Sequence, residues 1–128
     1  MKLVTGVAVG VVLIVGLIAV TSARRESAIS SHQTTTVILE DLRFVPNRID
    51  ARAGVPATLV LTNRGTERHD LNFPSLHMPG LQGVDAILEP GETRTITLMF
   101  DQPGTHTFIC TLPGHAAAGM TGAAFVAQ

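Results

Sequence analysis

Hydrophobic and polar positions divide the chain into three unlike stretches. Leu3 to Val20 is an apolar run of 18 residues without a charge. Residues 24–34 are polar and show no apolar periodicity, as in a flexible tether. From Thr35 onward the apolar residues come in short runs punctuated by Gly, Pro and Asn, with no helical stretch between them, which is an all-β pattern.

Within that last stretch, Thr35 to Leu42 is predicted as a strand with Val37 and Leu39 on one face. Arg43-Phe44-Val45-Pro46 is expected to interrupt it, and Ile49 to Ala53 to resume before a turn at Gly54. Ala57 to Thr62 forms the next strand and ends at Asn63-Arg64-Gly65, after which His69 to Phe73 follows. Pro74 to Gly83 holds too many Pro and Gly for regular structure. Past the turn at Glu89-Pro90-Gly91-Glu92, Thr93, Thr95 and Thr97 alternate with Ile96, Leu98 and Phe100, a clear period of two. Asp101 to Gly104 turns the chain into Thr105–Cys110, and Ala123 to Ala127 is the last strand. Short strands at this spacing predict a β-sandwich of roughly 95 residues, enough for one small core.

The apolar run sits between the length of a signal peptide and that of a membrane span, and both readings stay open for residues 1–23. Ala23 suits cleavage, yet Arg24-Arg25 would then open the mature chain; an uncleaved anchor would place those arginines on the outer face. A lipoprotein is excluded, because the only cysteine is Cys110, and so is a twin-arginine signal, because the arginine pair follows the apolar run instead of preceding it. The expected organisation is a leader or anchor over residues 1–23, a linker over 24–34 and one folded domain over 35–128, held on the outer face of the cytoplasmic membrane, in the periplasm or outside the cell.

Charge adds mainly exclusions. Nine Lys and Arg face ten Asp and Glu, and five Phe stand without Trp or Tyr. With neither a basic stripe nor interleaved aromatics, nucleic acid is not an expected partner. One cysteine forms no internal disulfide, and an unpaired thiol in an exported chain calls for another explanation.

Cys110-Thr-Leu-Pro-Gly-His115-Ala-Ala-Ala-Gly-Met120 supplies one. Composition alone would place a His and a Met at these two offsets in about one such chain in 800. The bland alternative makes Cys110 a small buried residue, His115 a surface residue and Met120 core filler. Thiolate and thioether suit Cu(I), whereas imidazole suits both oxidation states, so the set describes a copper ion able to change state. His69, just after the Asn63-Arg64-Gly65 turn, is a further candidate donor from a distant part of the chain.

A lone His after a strand and an Asn-x-Gly turn, followed by Cys-x4-His-x4-Met near the carboxyl end, resembles the cupredoxins, the blue-copper electron carriers. The resemblance covers residues 35–128, includes Phe44-x-Pro46-x-x-Ile49-x-Ala51-x-Ala53-Gly54, and in its spacers is nearest rustacyanin- and auracyanin-like members. It implies a Greek-key β-sandwich, here preceded by an N-terminal hydrophobic helix, holding one type 1 Cu(I)/Cu(II) ion. His69, Cys110 and His115 would be the trigonal ligands and Met120 the long axial one. It also implies that the N–H groups of Asp70 and Leu112 donate to the thiolate sulfur. Asp70 stands where the family commonly has Asn, facing Thr111.

The remaining histidines and methionines are weighed against this set. His32 reads as a solvated linker residue, His106 as a packed strand residue, and Met99 as packing. His77-Met78, in the Pro- and Gly-rich loop, reads either as rim or as a second weak copper site. The function the resemblance implies is single-electron transfer between redox proteins, through a weak, transient interface in which Leu112, Pro113 and Ala116–Ala118 ring His115. The chain would act as a monomer, with residues 3–20 in the membrane if uncleaved. Copper trafficking or storage is the alternative. Catalysis is not expected, since no acid stands in place to orient a Cys110–His115 pair and the paired-cysteine loop of a binuclear copper centre is absent.

Overall fold

A computed structural model describes residues 32–128, so the proposed apolar helix and most of the tether lie outside the described residues. Seven strands build two sheets. β1 (Gln33–Glu40), β2 (Arg43–Val45), β4 (Ala57–Asn63) and β5 (Thr93–Leu98) form one, in the order β2-β1-β4-β5. β3 (Arg48–Arg52), β6 (Gly104–Ile109) and β7 (Thr121–Ala127) form the other, in the order β3-β7-β6. Each sheet mixes directions, β1 running parallel to β4 and β3 parallel to β7. The described domain is an all-β sandwich whose only helical element is the one-turn 3₁₀ segment Val84–Ala86.

β5 follows the predicted alternation, and β4 shows one too. In β4, Ala57, Leu59 and Leu61 point inward with Asn63, while β5 turns Ile96 and Leu98 inward and Thr93, Thr95 and Thr97 outward. Several details differ from the expectation, among them the bounds of the last two strands, which are Gly104–Ile109 and Thr121–Ala127. β1 begins at Gln33 instead of Thr35, because its first residues already pair with Ala57 and Thr58. Arg43–Val45 does not break the sheet but forms β2, which folds back on β1 around Leu42 and buries Phe44. His69 to Phe73 forms no strand, only single bridges from His69 to Leu88 and from Asn72 to Ile109.

Between the sheets, Phe44 and Phe73 each meet Phe108 edge to face, at 5.1 and 5.6 Å between centroids, and Phe73 meets Phe100 at 5.5 Å. Such T-shaped pairs set the positive ring edge against the negative face of the neighbour. Phe108 and Cys110 lie two apart and both point inward, so the strand that anchors this aromatic cluster also delivers the thiol. Leu71, Phe73 and Leu88 are fully buried beside them and fix the segment carrying His69 from the other side.

Candidate metal centre

The loop after β4 is shaped by one side chain. Asn63 is fully buried; its Nδ2 donates to the carbonyls of Glu67 (2.8 Å) and Leu88 (2.9 Å), and its Oδ1 accepts from the Gly65 N–H at 2.9 Å. A neutral amide that both donates and accepts closes the turn without burying a charge. His69 then enters the interior with no exposed surface, its backbone bridged to Leu88 in both directions.

The second loop is closed by backbone bonds. Cys110 N–H donates to the Met120 carbonyl at 3.1 Å, and Met120 N–H to the His115 carbonyl at 3.0 Å. His115 N–H donates to Leu112 at 3.1 Å. Gly114 and Gly119, at φ of 84° and 107°, supply the left-handed residues this tight path needs. Cys110 and Met120 are fully buried, while His115 is partly exposed.

The two loops bring three donors together. His69 Nδ1 lies 3.2 Å from His115 Nδ1, which lies 3.5 Å from Cys110 Sγ, and all three donor atoms fall within 4.8 Å of one another. Each imidazole turns its other nitrogen to a carboxylate. His69 Nε2 is 3.1 Å from Asp41 Oδ1, and His115 Nε2 is 3.2 Å from Glu67 Oε2. The His69 hydrogen bond, together with those from Thr66, lowers the Asp41 carboxyl to about 2.

A family model for the cupredoxin-like domain matches residues 10–121. The chain belongs to the cupredoxin family. This cupredoxin is 30% identical over 114 residues to the copper-resistant cuproprotein CopI of Rubrivivax gelatinosus, the match covering 77% of the chain and 69% of CopI. It is 40% identical over 52 residues to auracyanin-B of Chloroflexus aurantiacus, a match covering 41% of the chain but only 22% of that relative's length. Among solved structures it resembles auracyanin B, with a TM-score of 0.61 and 25% identity over 75% of this chain and 89% of that one.

The cofactor that this membership implies is a single type 1 copper ion, and the donors present fit it. Ionised carboxylates only accept hydrogen bonds, so the nitrogens facing Asp41 and Glu67 carry the ring protons. Both Nδ1 atoms are then left as lone pairs aimed at each other and toward sulfur, an arrangement that calls for a cation. The separations of 3.2 and 3.5 Å are those of neighbouring ligands around an ion bound at about 2.0–2.3 Å. Carboxylates behind the histidines fix tautomer and ring orientation.

Around sulfur, burial pushes the Cys110 thiol up, while the N–H groups of Asp70 and Leu112 donate to Sγ and pull the other way. These are the two donors the family resemblance implies. Held protonated by burial, the thiol would release its proton to water on binding a cation, so loading would become more favourable as the pH rises.

Asp70 is buried and takes two donors from the residue after the cysteine: Thr111 N–H at 2.6 Å on Oδ1, and the Thr111 hydroxyl on Oδ2. Both contacts suit an acceptor-only carboxylate. Asn at this position keeps both by reversing the second, its amide donating to the hydroxyl oxygen, so Asp70→Asn isolates the charge. A negative charge beside the metal favours Cu(II). The reduction potential of D70N should therefore rise by on the order of 60 mV, a tenfold change in the one-electron equilibrium, as read by redox titration. An unchanged or lower potential would remove Asp70 as a tuning charge.

Asp41 and Glu67 carry no signal in the sequence pattern. Asp41 directly follows β1 and binds the His69 loop by accepting from the Thr66 N–H and hydroxyl, both at 2.9 Å. Gly65 leaves the space for this, since a Cβ there would stand 2.3 Å from Asp41 Oδ1 and 2.7 Å from His69 Nε2. The Asn-x-Gly turn is visible in sequence; that its glycine makes room for a carboxylate is not. Of the other soft side chains, His106 stacks on Phe100 as a packed residue would, at 5.5 Å and 24°. Met99, expected to pack, is instead 48% exposed, because it continues the outward face of β5 past its last paired residue.

Proposed function

We propose that this cupredoxin is an electron carrier in which His69, Cys110 and His115 hold copper in one plane and Met120 is the long axial ligand. The observation that carries the reading is the prepared donor set: two Nδ1 atoms and one thiol sulfur within 4.8 Å, each held from behind by backbone or carboxylate hydrogen bonds. When bound, copper supplies the one-electron couple. The chain's own residues hold the donors in positions that suit neither oxidation state fully, so little need move on electron transfer.

Electrons would enter and leave at His115, where the buried centre comes nearest the surface. Pro113, Ala117 and Ala118 are exposed around it, and Leu112 and Ala116 are partly so. A small apolar collar suits a short-lived encounter with a redox protein. Glu67 at the His115 edge adds a carboxylate, 63% exposed, which favours partners with a basic residue opposite. The protein would work as a monomer without catalysis of its own, exported or held by residues 1–23 at the outer side of the membrane, with 24–32 linking to the domain that begins at β1.

Similarity to CopI favours a second reading, copper handling in copper resistance. The two separate on one measurement. A carrier loaded with Cu(II) shows an intense visible thiolate-to-copper band and exchanges electrons rapidly and reversibly at an electrode. A colourless protein that hands Cu(I) to an acceptor would establish the second reading instead.

The axial position has its own test. Met120→Leu should keep the colour while raising the potential, because removing a weak sulfur donor destabilises Cu(II) more than Cu(I). An unchanged potential would take Met120 out of the ligand set.

A further inference from the structure

Apart from His32, every histidine and methionine among the described residues that is not in the copper loops lines one cavity. His77, Met78, Met99 and His106 all border it, together with Phe100 and Asp101. The cavity holds about 310 Å³ and lies where three separated stretches meet: the Pro- and Gly-rich loop, the turn after β5, and β6. We propose that it is a second metal site, selective for a soft monovalent ion, Cu(I) or its analogue Ag(I).

The donor chemistry points to that class. Two thioethers with imidazole suit Cu(I), whereas Mg²⁺, Ca²⁺ and Mn²⁺ prefer oxygen. Packing does not explain Met99. The outward face it continues carries Thr93, Thr95 and Thr97, and on that threonine face Met99 leaves 48% of its surface exposed. Met78 lines the same cavity from the Pro- and Gly-rich loop, 5% exposed and seated in the core, so one thioether is fixed and the other is free to close.

His106 is set up as a donor. Its Nε2 lies 3.2 Å from the Gln102 carbonyl oxygen, which can only accept, so Nε2 carries the ring proton and Nδ1 holds a lone pair. A backbone carbonyl behind one nitrogen is the arrangement that orients metal-bound histidines, and the stacked Phe100 ring holds the imidazole plane. Asp101 adds negative charge at the rim, and exposed His77 can fold in from its loop.

The site shares no residue with the Cys110 centre and stands whether that centre carries electrons or delivers copper. The test is anaerobic titration of the metal-free full chain with Cu(I), and separately with Ag(I), counting bound ions by native mass spectrometry. Wild type should take two equivalents. The double variant His77→Ala/Met99→Leu should take one, and after reloading with Cu(II) should keep the visible band of wild type. Because both side chains lie at the surface, that band also reports an intact fold. In wild type already holding one equivalent, the second should shift the ring signals of His77 and His106 and the methyl signal of Met99. A single equivalent in wild type, or two retained by the double variant, would overturn the proposal. Loss of the visible band in wild type would count against the Cys110 centre alone.

Discussion

Replacing Cys110 with serine is expected to abolish the intense visible band of the copper-loaded protein while the sandwich still folds. The band requires a thiolate able to give charge to Cu(II), and a serine hydroxyl is harder and stays protonated at neutral pH. The fold should survive because the backbone closes the loop: Cys110 N–H on Met120, Met120 N–H on His115 and His115 N–H on Leu112 involve no side chain. Nor would the hydroxyl be orphaned, since the N–H groups of Asp70 and Leu112 that now face sulfur can donate to oxygen. Circular dichroism should show the same strand content, with a cooperative melt within about 2 kcal/mol of wild type, the cost of one buried polar exchange. A variant that keeps its colour would show that the thiolate is not the ligand.

The features legible in the sequence are mostly those whose parts lie close together along the chain. Cys110, His115 and Met120 share one loop, so their spacing already announces a common purpose. His69 and the Asp70–Thr111 tie become legible through the family resemblance. A short apolar run marks β4 and period-two alternation marks β5, but β2 has only three residues and ends against Pro46, so nothing local separates it from an interruption. The carboxylates behind the histidines are hidden for another reason. Asp41 meets His69 across 28 residues, through the turn from β1 to β2, and one exposed aspartate among ten acidic residues carries no local signal. Glu67 sits two residues before His69 yet serves His115, a pairing that exists only once the loops meet. The cavity between His77 and His106 is ambiguous in sequence for the same reason, since its members come from three segments that only the tertiary fold joins.

Gly122→Ala should cost about 3 kcal/mol of stability, at the upper end of the usual penalty for overpacking. Gly122 in β7 pairs directly with Phe108 in β6, and the Phe108 ring lies across it. A Cβ at 122 would stand 2.3 Å from Phe108 Cζ, 2.4 Å from Cε2 and 2.5 Å from the backbone carbonyl oxygen of Asn47. The ring cannot simply swing away, because it is fully buried with Phe44 and Phe73 edge to face against it. The Asn47 carbonyl is equally committed, accepting from the Ala123 N–H at 3.0 Å. For a domain this small the melting temperature should fall by roughly 10–20 °C. The double variant Gly122→Ala/Phe108→Leu separates this clash from a general weakening of β7. If the ring is the obstacle, leucine relieves it and the pair costs less than the sum of the single changes. If Gly122→Ala melts within about 1 kcal/mol of wild type, β6 is not held by this contact. Since Cys110 directly follows β6 and points inward on the same side as Phe108, the same displacement should disturb the thiol, and copper affinity should fall together with stability.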